Sequence, residues 1–410
     1  MNISGFIAKR IAFNSQRSFS RFIVRLSVTA TIISVMIMIV TLAFASGFQK
    51  TISDKVFSFW GHIRIHNYEA ARISIAEETP IFRNDSVTNL VNTVPEIKNI
   101  QAYATRNAIL KTSENIEGVL FKGVEKDYNF KNLQQFLIAG RWINFADSTY
   151  STEVNLSESM ASELKLHVND KVLIYFVQSG GASPRPRKLT VVGIFKTGIE
   201  EYDKLIALGD LKLIQRLNNW KPNEIGGYEV FLKDFKKMDA VSEDILYKIP
   251  IAFRSSTIKE IFPNIFDWLA LQNKTIYIIL IIMIVIATLN LVTCLLILVL
   301  ERTKMVGILK AIGAGNPAIQ KIFLTQGAII SLVGLAGGNL LGLLVCWLQQ
   351  RFGFIKLPED AYYISQAAVD VVWWEVIGVN IFTFIICFLV LMIPTMIIKK
   401  IQPVKAIQFR

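Results

Sequence analysis

The side chains able to ligate a metal or act as nucleophiles are few, because the 410 residues hold only three histidines and three cysteines. His62 and His66 share one face of the alternating stretch His62-Ile63-Arg64-Ile65-His66, a spacing that can present two imidazoles to one ion. Arg64 stands between them on that face and opposes a cation, so no metal is expected there. His167 stands alone. Cys294, Cys346 and Cys387 lie in long apolar stretches away from the histidines, so neither a Cys-His pair nor a Ser-His-Asp triad can be assembled, and there is no disulfide framework. No phosphate loop of the form G-x-x-x-x-G-K followed by Ser or Thr occurs; Gly193 and Gly198, around Lys196-Thr197, have the wrong spacing. The expectation is a non-catalytic chain with no cofactor or metal of its own.

The elements that must carry any function are set by hydropathy. The chain is 52% hydrophobic and 19% charged, with a mean hydropathy of +0.42. Residues 26–49, 275–300, 322–350 and 376–398 contain no Asp, Glu, Lys or Arg. Each window exceeds the about 20 helical residues that cross a hydrocarbon core. An N-terminal signal peptide is the alternative for the first, since Ala43-Phe44-Ala45 resembles a cleavage site. Its apolar run is longer than a signal core of about 7 to 15 residues, however, and lies behind 25 other residues. The absence of charge within the windows also argues against ion-coupled transport.

The net charge of +12 does not point to nucleic acid once it is located. Lys9, Arg10, Arg17, Arg21 and Arg25 precede the first window, Arg302, Lys304, Lys310 and Lys321 follow the second, and Lys399, Lys400, Lys405 and Arg410 follow the fourth. Removing these 13 from 44 basic residues leaves 31, and removing Glu301, their one acidic neighbour, from 32 also leaves 31. The excess therefore flanks the spans, the positive-inside pattern. It predicts a cytoplasmic amphipathic segment 1–25, with Phe6, Ile7, Ile11 and Phe13 against membrane lipid; spans 26–49, 275–300, 322–350 and 376–398; an outer domain 50–274; a cytoplasmic loop 301–321; a short outer loop 351–375; and a cytoplasmic tail 399–410.

The fold class expected is a four-span helical membrane protein with a large mixed α/β extracytoplasmic domain. Strand patterns at Ile63–Ile65, 172–177, 189–195 and 228–232 alternate with helical ones at 87–90, 157–166 and 211–217, the last with Asp210 as N-cap. The run Ser179 to Pro186, rich in Gly and Pro, is expected to be an exposed loop between two strands. Gly334, Gly338 and Gly342 recur every fourth residue and suit close helix packing; Asn290 and Thr293 are candidate interhelical donors. In the loop 301–321, Met305, Ile308, Leu309 and Ile312 recur at i, i+3, i+4 and i+7 as one apolar stripe, with Gly313 as C-terminal cap and Asn316-Pro317 opening the next helix. Such a helix either lies under the bilayer or offers its stripe to a cytoplasmic partner.

This order of elements, with Glu301-Arg302 and Gly307-Ile308-Leu309-Lys310-Ala311-Ile312-Gly313-Ala314, resembles the ABC-transporter permeases of the MacB/FtsX superfamily. Gly47-Phe48, Gly61-His62-Ile63, Gly123-Val124, Gly140-Arg141-Trp142, Val192-Gly193-Ile194-Phe195, Gly198-Ile199, Tyr202-Asp203 and Trp268-Leu269 look like the lipoprotein-releasing LolC/LolE branch, over nearly the whole chain. Met305 departs from the acidic residue many relatives carry there. The resemblance implies a MacB-like periplasmic core and a multi-pass protein of the bacterial inner membrane with both termini cytoplasmic. It also implies a second permease, identical or paralogous, and a cytoplasmic ABC ATPase subunit that carries ATP and Mg. That ATPase would contact Glu301, Arg302, Met305, Ile308, Leu309, Lys310 and Ile312. The implied cargo is an acylated lipoprotein passed to a periplasmic carrier. Phe44, Phe48, Phe57, Phe59, Trp60, Phe262, Phe266, Trp268 and Leu271 then either line an acyl-chain cleft or are ordinary interfacial anchors. Ser183, Pro184, Arg185, Pro186, Arg187 and Lys188 fall where that branch engages the carrier, or form a solvated hairpin tip. MacB-type efflux and FtsX-type activation of cell-wall hydrolases are the alternative functions.

Overall fold

Among the described residues, the first three charge-free windows become helices longer than themselves and the fourth a helix of equal length. The computed structural model describes residues 19–68, 79–145, 149–177 and 185–396. The long helices are α1 (Phe19–Trp60), α2 (Leu211–Asn218), α3 (Met238–Lys248), α4 (Pro263–Glu301), α5 (Thr303–Ala311), α6 (Asn316–Phe352) and α7 (Trp373–Thr395). The first has 42 residues, about 63 Å at about 1.5 Å each, roughly twice the thickness of a hydrocarbon core. Absence of charge marks the buried depth of a helix in lipid, whereas its backbone bonding runs on through Lys50, Asp54 and Lys55. Helices α1, α4, α6 and α7 are each long and apolar enough to cross a membrane. The N-terminal segment 1–18 and the tail 399–410 lie outside the described residues.

Two compact units result. One comprises residues up to Lys50, Leu269–Lys356 and the chain from Gln366; the other comprises Thr51–Trp268 and Leu357–Ser365. The expected outer loop 351–375 is therefore divided, its middle belonging to the outer unit. In the span unit, the glycine repeat is a helix contact. A Cβ on Gly334 would meet the side chain of Thr31, one on Gly338 that of Val35 and one on Gly342 that of Ile39, so α1 and α6 run parallel with their backbones close. Asn339 and Asn380 join α6 to α7 through reciprocal amide bonds of 2.7 and 2.8 Å. Asn290 donates to the Ser27 carbonyl at 3.0 Å, while Thr293 bonds back to Leu289 of its own helix at 2.9 Å.

The outer unit is built on strands β1 (Ile63–Asn67), β2 (Ile81–Phe82), β3 (Ile97–Lys111), β4 (Ile116–Val124), β5 (Leu137–Gly140), β6 (Glu153–Ser157), β7 (Lys171–Phe176), β8 (Arg185–Phe195), β9 (Ile206–Asp210), β10 (Glu224–Ile225), β11 (Gly227–Leu232) and β12 (Phe253–Thr257). Their main order is β12-β1-β11-β3-β4-β9-β6-β8-β5, and β7 pairs with both β3 and β8. That double pairing closes β3-β4-β9-β6-β8-β7 into a barrel, leaving fewer free edges. Phe121 and Phe176 fill it edge to face at 5.2 Å, and Gly209 is required where a Cβ would strike the Phe121 ring. Asp210 caps α2 by accepting from the Lys212 amide at 2.9 Å.

Beside the barrel, Lys122 and Glu229 are wholly buried and paired at 2.6 Å. The Lys122 ammonium also donates to the carbonyl of Phe59 at the end of α1 and lies 5.1 Å from the Trp60 ring; Arg64 stacks over Tyr103 at 4.0 Å. Breaking such a pair on one side strands a buried charge, at a cost of about 3–5 kcal/mol. Lys122→Met should therefore lower the unfolding midpoint sharply. Adding Glu229→Leu should recover a large part of the loss. A double variant no more stable than the single one would show that the pair is not what holds these elements.

Candidate functional site

The loop helix α5 is held firmly at its C-terminus. The Ala314 amide donates to the Leu309 carbonyl at 2.9 Å and the Gly313 amide to that of Lys310 at 3.0 Å, while Gly313 takes a φ of +97°. This is the 6→1 and 5→2 pairing that favours glycine after the cap, and Leu309 and Ala314 pack on the core as it requires. The helix does not offer its whole stripe to solvent. Val306 is buried, and Met305 and Leu309 pack with it against Leu298, Ile319 and Phe323 of the span unit. Those two are partly buried by this packing. Ile308 and Ile312 remain 51% and 79% exposed, one helical turn apart. Glu301 ends α4, Arg302 is the N-cap of α5 and Lys310 lies in its last turn. The next helix opens one residue earlier than expected, with Gly315 as cap and Pro317 in its first turn.

Five of the nine aromatic and aliphatic cleft candidates pack into the core of the outer unit instead of lining an opening. Phe57, Phe59 and Trp60 are buried, and Phe262 and Phe266 are half-buried against them. Phe59 meets Phe136 at 5.5 Å and Phe195 at 5.4 Å; Trp60 meets Phe262 at 5.5 Å; Phe57 meets Phe266 at 5.9 Å. Their partners come from distant strands and helices, so position next to a span misrepresents them. Trp268 stands edge-on to Tyr363 at 5.7 Å. In the span unit, Phe44 and Phe48 pack ring on ring at 5.8 Å, and Leu271 is 62% exposed.

Strand β8 begins inside the expected loop. Arg185, Pro186, Arg187 and Lys188 are strand residues, paired in register with Phe176, Tyr175, Ile174 and Leu173. Proline is accepted at Pro186, near the start of its strand. Ser183 and Pro184 lie outside the described residues. Arg185 donates to the Leu217 carbonyl at 3.0 Å, tying its side chain to the domain, whereas Lys188 is exposed.

Sequence reasoning missed a cluster built from residues far apart. Within the outer unit Lys196 pairs with Glu158 at 3.1 Å and Glu359 at 3.2 Å, which raises its pKa. Lys55 donates to the Tyr363 carbonyl at 2.6 Å, and the Tyr363 hydroxyl to Glu201 at 3.1 Å. Together they fasten the segment Leu357–Ser365 to the domain. Among the described residues no group of three or more His, Cys, Asp or Glu is placed to hold a metal.

Two family models match the chain. The one described as MacB-like periplasmic core domain covers residues 26–246, and the one described as FtsX-like permease C-terminal covers 277–403. Among curated proteins, the chain is 23% identical over 408 residues to the lipoprotein-releasing system transmembrane protein LolC of Xylella fastidiosa (strain 9a5c), covering 96% of this chain and 95% of that protein. It is 22% identical over 422 residues to the protein named LolE from Haemophilus influenzae, covering 99% of each. Among solved structures, the periplasmic region of MacB from Actinobacillus actinomycetemcomitans matches 50% of this chain and 91% of its own at a TM-score of 0.34 and 14% identity.

The two strand histidines are structural. The Nδ1 atom of His62 accepts the Leu232 amide at 3.2 Å, and the ring stacks on Phe57 at 4.2 Å. Burial lowers the pKa of both His62 and His66 to about 4; Lys98 adds to this for His62, and Arg64 and Arg254 for His66. The unfolded chain binds these protons near pH 6.5 and the folded one does not, so stability falls as pH drops from about 6.5 to about 4 and levels off below. Thermal unfolding across that window should show this slope, and His62→Asn with His66→Asn should flatten it. An unchanged slope in the double variant would assign it to other groups.

Proposed function

The chain belongs to the MacB/FtsX superfamily of ABC-transporter permeases as a LolC/LolE-type member, a multi-pass protein of the inner membrane, and from that membership we propose that it is the permease subunit of a lipoprotein-releasing transporter. In this proposal a separate cytoplasmic ABC ATPase binds and hydrolyses ATP with Mg. A second permease, identical or paralogous, completes the membrane part. The cargo is an acylated lipoprotein drawn from the outer leaflet and passed to a periplasmic carrier. The observation that carries the proposal is the near-full-length match to proteins named for lipoprotein release. Moving acyl chains out of lipid costs about 0.8 kcal/mol per methylene, which is why an external energy source is required. Basic residues around the loop 301–321 favour a cytoplasmic side for that loop and for both termini.

The ATPase contact in this scheme is narrower than the sequence stripe. It consists of Ile308 and Ile312, presented on a helix whose other apolar side chains are committed to the span bundle. A rigid helix end offering two exposed isoleucines suits insertion into a groove on a partner. Ile308→Asp with Ile312→Asp should abolish copurification of the ATPase while leaving the permease folded. Wild-type recovery of the ATPase would remove this assignment. Leu309→Asp is expected to lower the unfolding temperature as well, because that side chain packs inward.

The β7–β8 hairpin is proposed to engage the carrier, with Arg187 and Lys188 supplying positive charge that speeds encounter with an acidic surface. Replacing both with Ser should slow cargo transfer to the carrier, an effect that shrinks as salt rises, with ATPase activity unchanged. Transfer at the wild-type rate in low salt would return the hairpin to an ordinary solvated tip.

A further inference from the structure

Within the span unit, α1, α4 and α7 enclose a groove of about 460 Å³, inside the range of small-molecule sites. Its two ends differ in chemistry. Toward the C-terminal end of α1 it is lined by Ser46, Gln49, Asn273, Tyr277 and Glu375; further in it is lined by Leu42, Ile284, Val379 and Phe382. From Asn273 to Ile284 is about 16 Å of helix, close to half of an about 30 Å hydrocarbon core. The exposed Trp373 and Trp374, just before Glu375, set the polar end at head-group depth. The groove thus has the length, polarity and level of one leaflet's lipid.

The charge at the mouth narrows the head group. Lys50 is engaged with Asp370 at 3.0 Å, and Glu375 accepts from the Ser46 hydroxyl at 3.0 Å; among the described residues no cation pairs with Glu375. The uncharged Gln49, Asn273 and Tyr277 supply donors for ester and phosphate oxygens. Gly378 lies on the groove wall and faces open space, a Cβ built there meeting nothing within 4 Å. We propose that this groove is a binding site for a membrane phospholipid whose head group carries a primary ammonium, with Glu375 as the ammonium partner. An anionic lipid would meet Glu375 unfavourably.

The test uses the full chain, taken from vesicles of equal parts phosphatidylethanolamine and phosphatidylglycerol, with retained lipid read by native mass spectrometry. Phosphatidylethanolamine should be retained in preference. Glu375→Gln should reduce that preference about two- to fivefold, the range of an interfacial ion pair. Gly378→Leu should expel the lipid, while Gly378→Ala, the control for folding, should keep it. Equal retention of the two lipids by the wild type, an unchanged ratio in Glu375→Gln, or lipid still held by Gly378→Leu would overturn the proposal. So would finding acylated protein in place of phospholipid, or a disulfide between two copies of a Gly378→Cys chain, which would give the groove to cargo or to a second permease. No step depends on ATP, so the site and the transport proposal can fail separately.

Discussion

A buried lysine and a buried glutamate, 107 residues apart, hold the outer unit to the end of its entering helix. Removing two charges from water costs several kcal/mol each, and only good geometry with further hydrogen bonds recovers it. The Lys122 ammonium has both: the Glu229 carboxylate at 2.6 Å, and the Phe59 carbonyl at the negative end of a 42-residue helix. Aromatic faces of Trp60, Tyr103 and Tyr128 surround the ammonium and exclude water while still attracting charge. Strands β4 and β11 and the last turn of α1 are thereby fixed to one point.

The dependence of the other elements on this point is visible in the packing. Trp60 is shared between the cationic side chains and the ring of Phe262, which precedes α4. Phe59 is shared between the short helical turn at Phe136 and the end of β8. The chain therefore enters and leaves the domain through neighbouring aromatic contacts, and the barrel is tied to the same cluster through β4 and β8.

Much of this was legible in the sequence where the cause is local. Charge-free windows located the four spans, Asp210 announced a helix start, alternating apolar residues marked β1, and β-branched and aromatic runs marked β7, β8 and β11. What escaped depends on partners far along the chain. The 15-residue strand β3 mixes polar and apolar residues because its two ends face different neighbours, β11 at one and β7 at the other. The helical period of α5 was readable, but which of its apolar residues face inward is decided by Leu298, Ile319 and Phe323, and Val306 carried no sign of being the buried one. Phe57, Phe59 and Trp60 looked interfacial because they follow a span, and nothing nearby reveals that Phe136, Phe195 and Phe262 cover them. Lys122 and Glu229 stand 107 residues apart, and the opposite charges closer to each in the sequence, Glu125 and Lys233, point to other pairings.

The segment Leu357–Ser365 sets an order of events during synthesis. The first 268 residues supply the twelve strands seen among the described residues, yet Glu359 and Tyr363, the partners of Lys196, Lys55 and Glu201, emerge only after the 88 residues from Leu269 to Lys356, which include two spans. At about 5–20 residues per second the outer unit waits roughly 5 to 20 seconds for its last piece. Throughout that interval Lys196 lacks Glu359 and Lys55 lacks the Tyr363 carbonyl. Closure of the domain thus reports that the second and third spans have already been made.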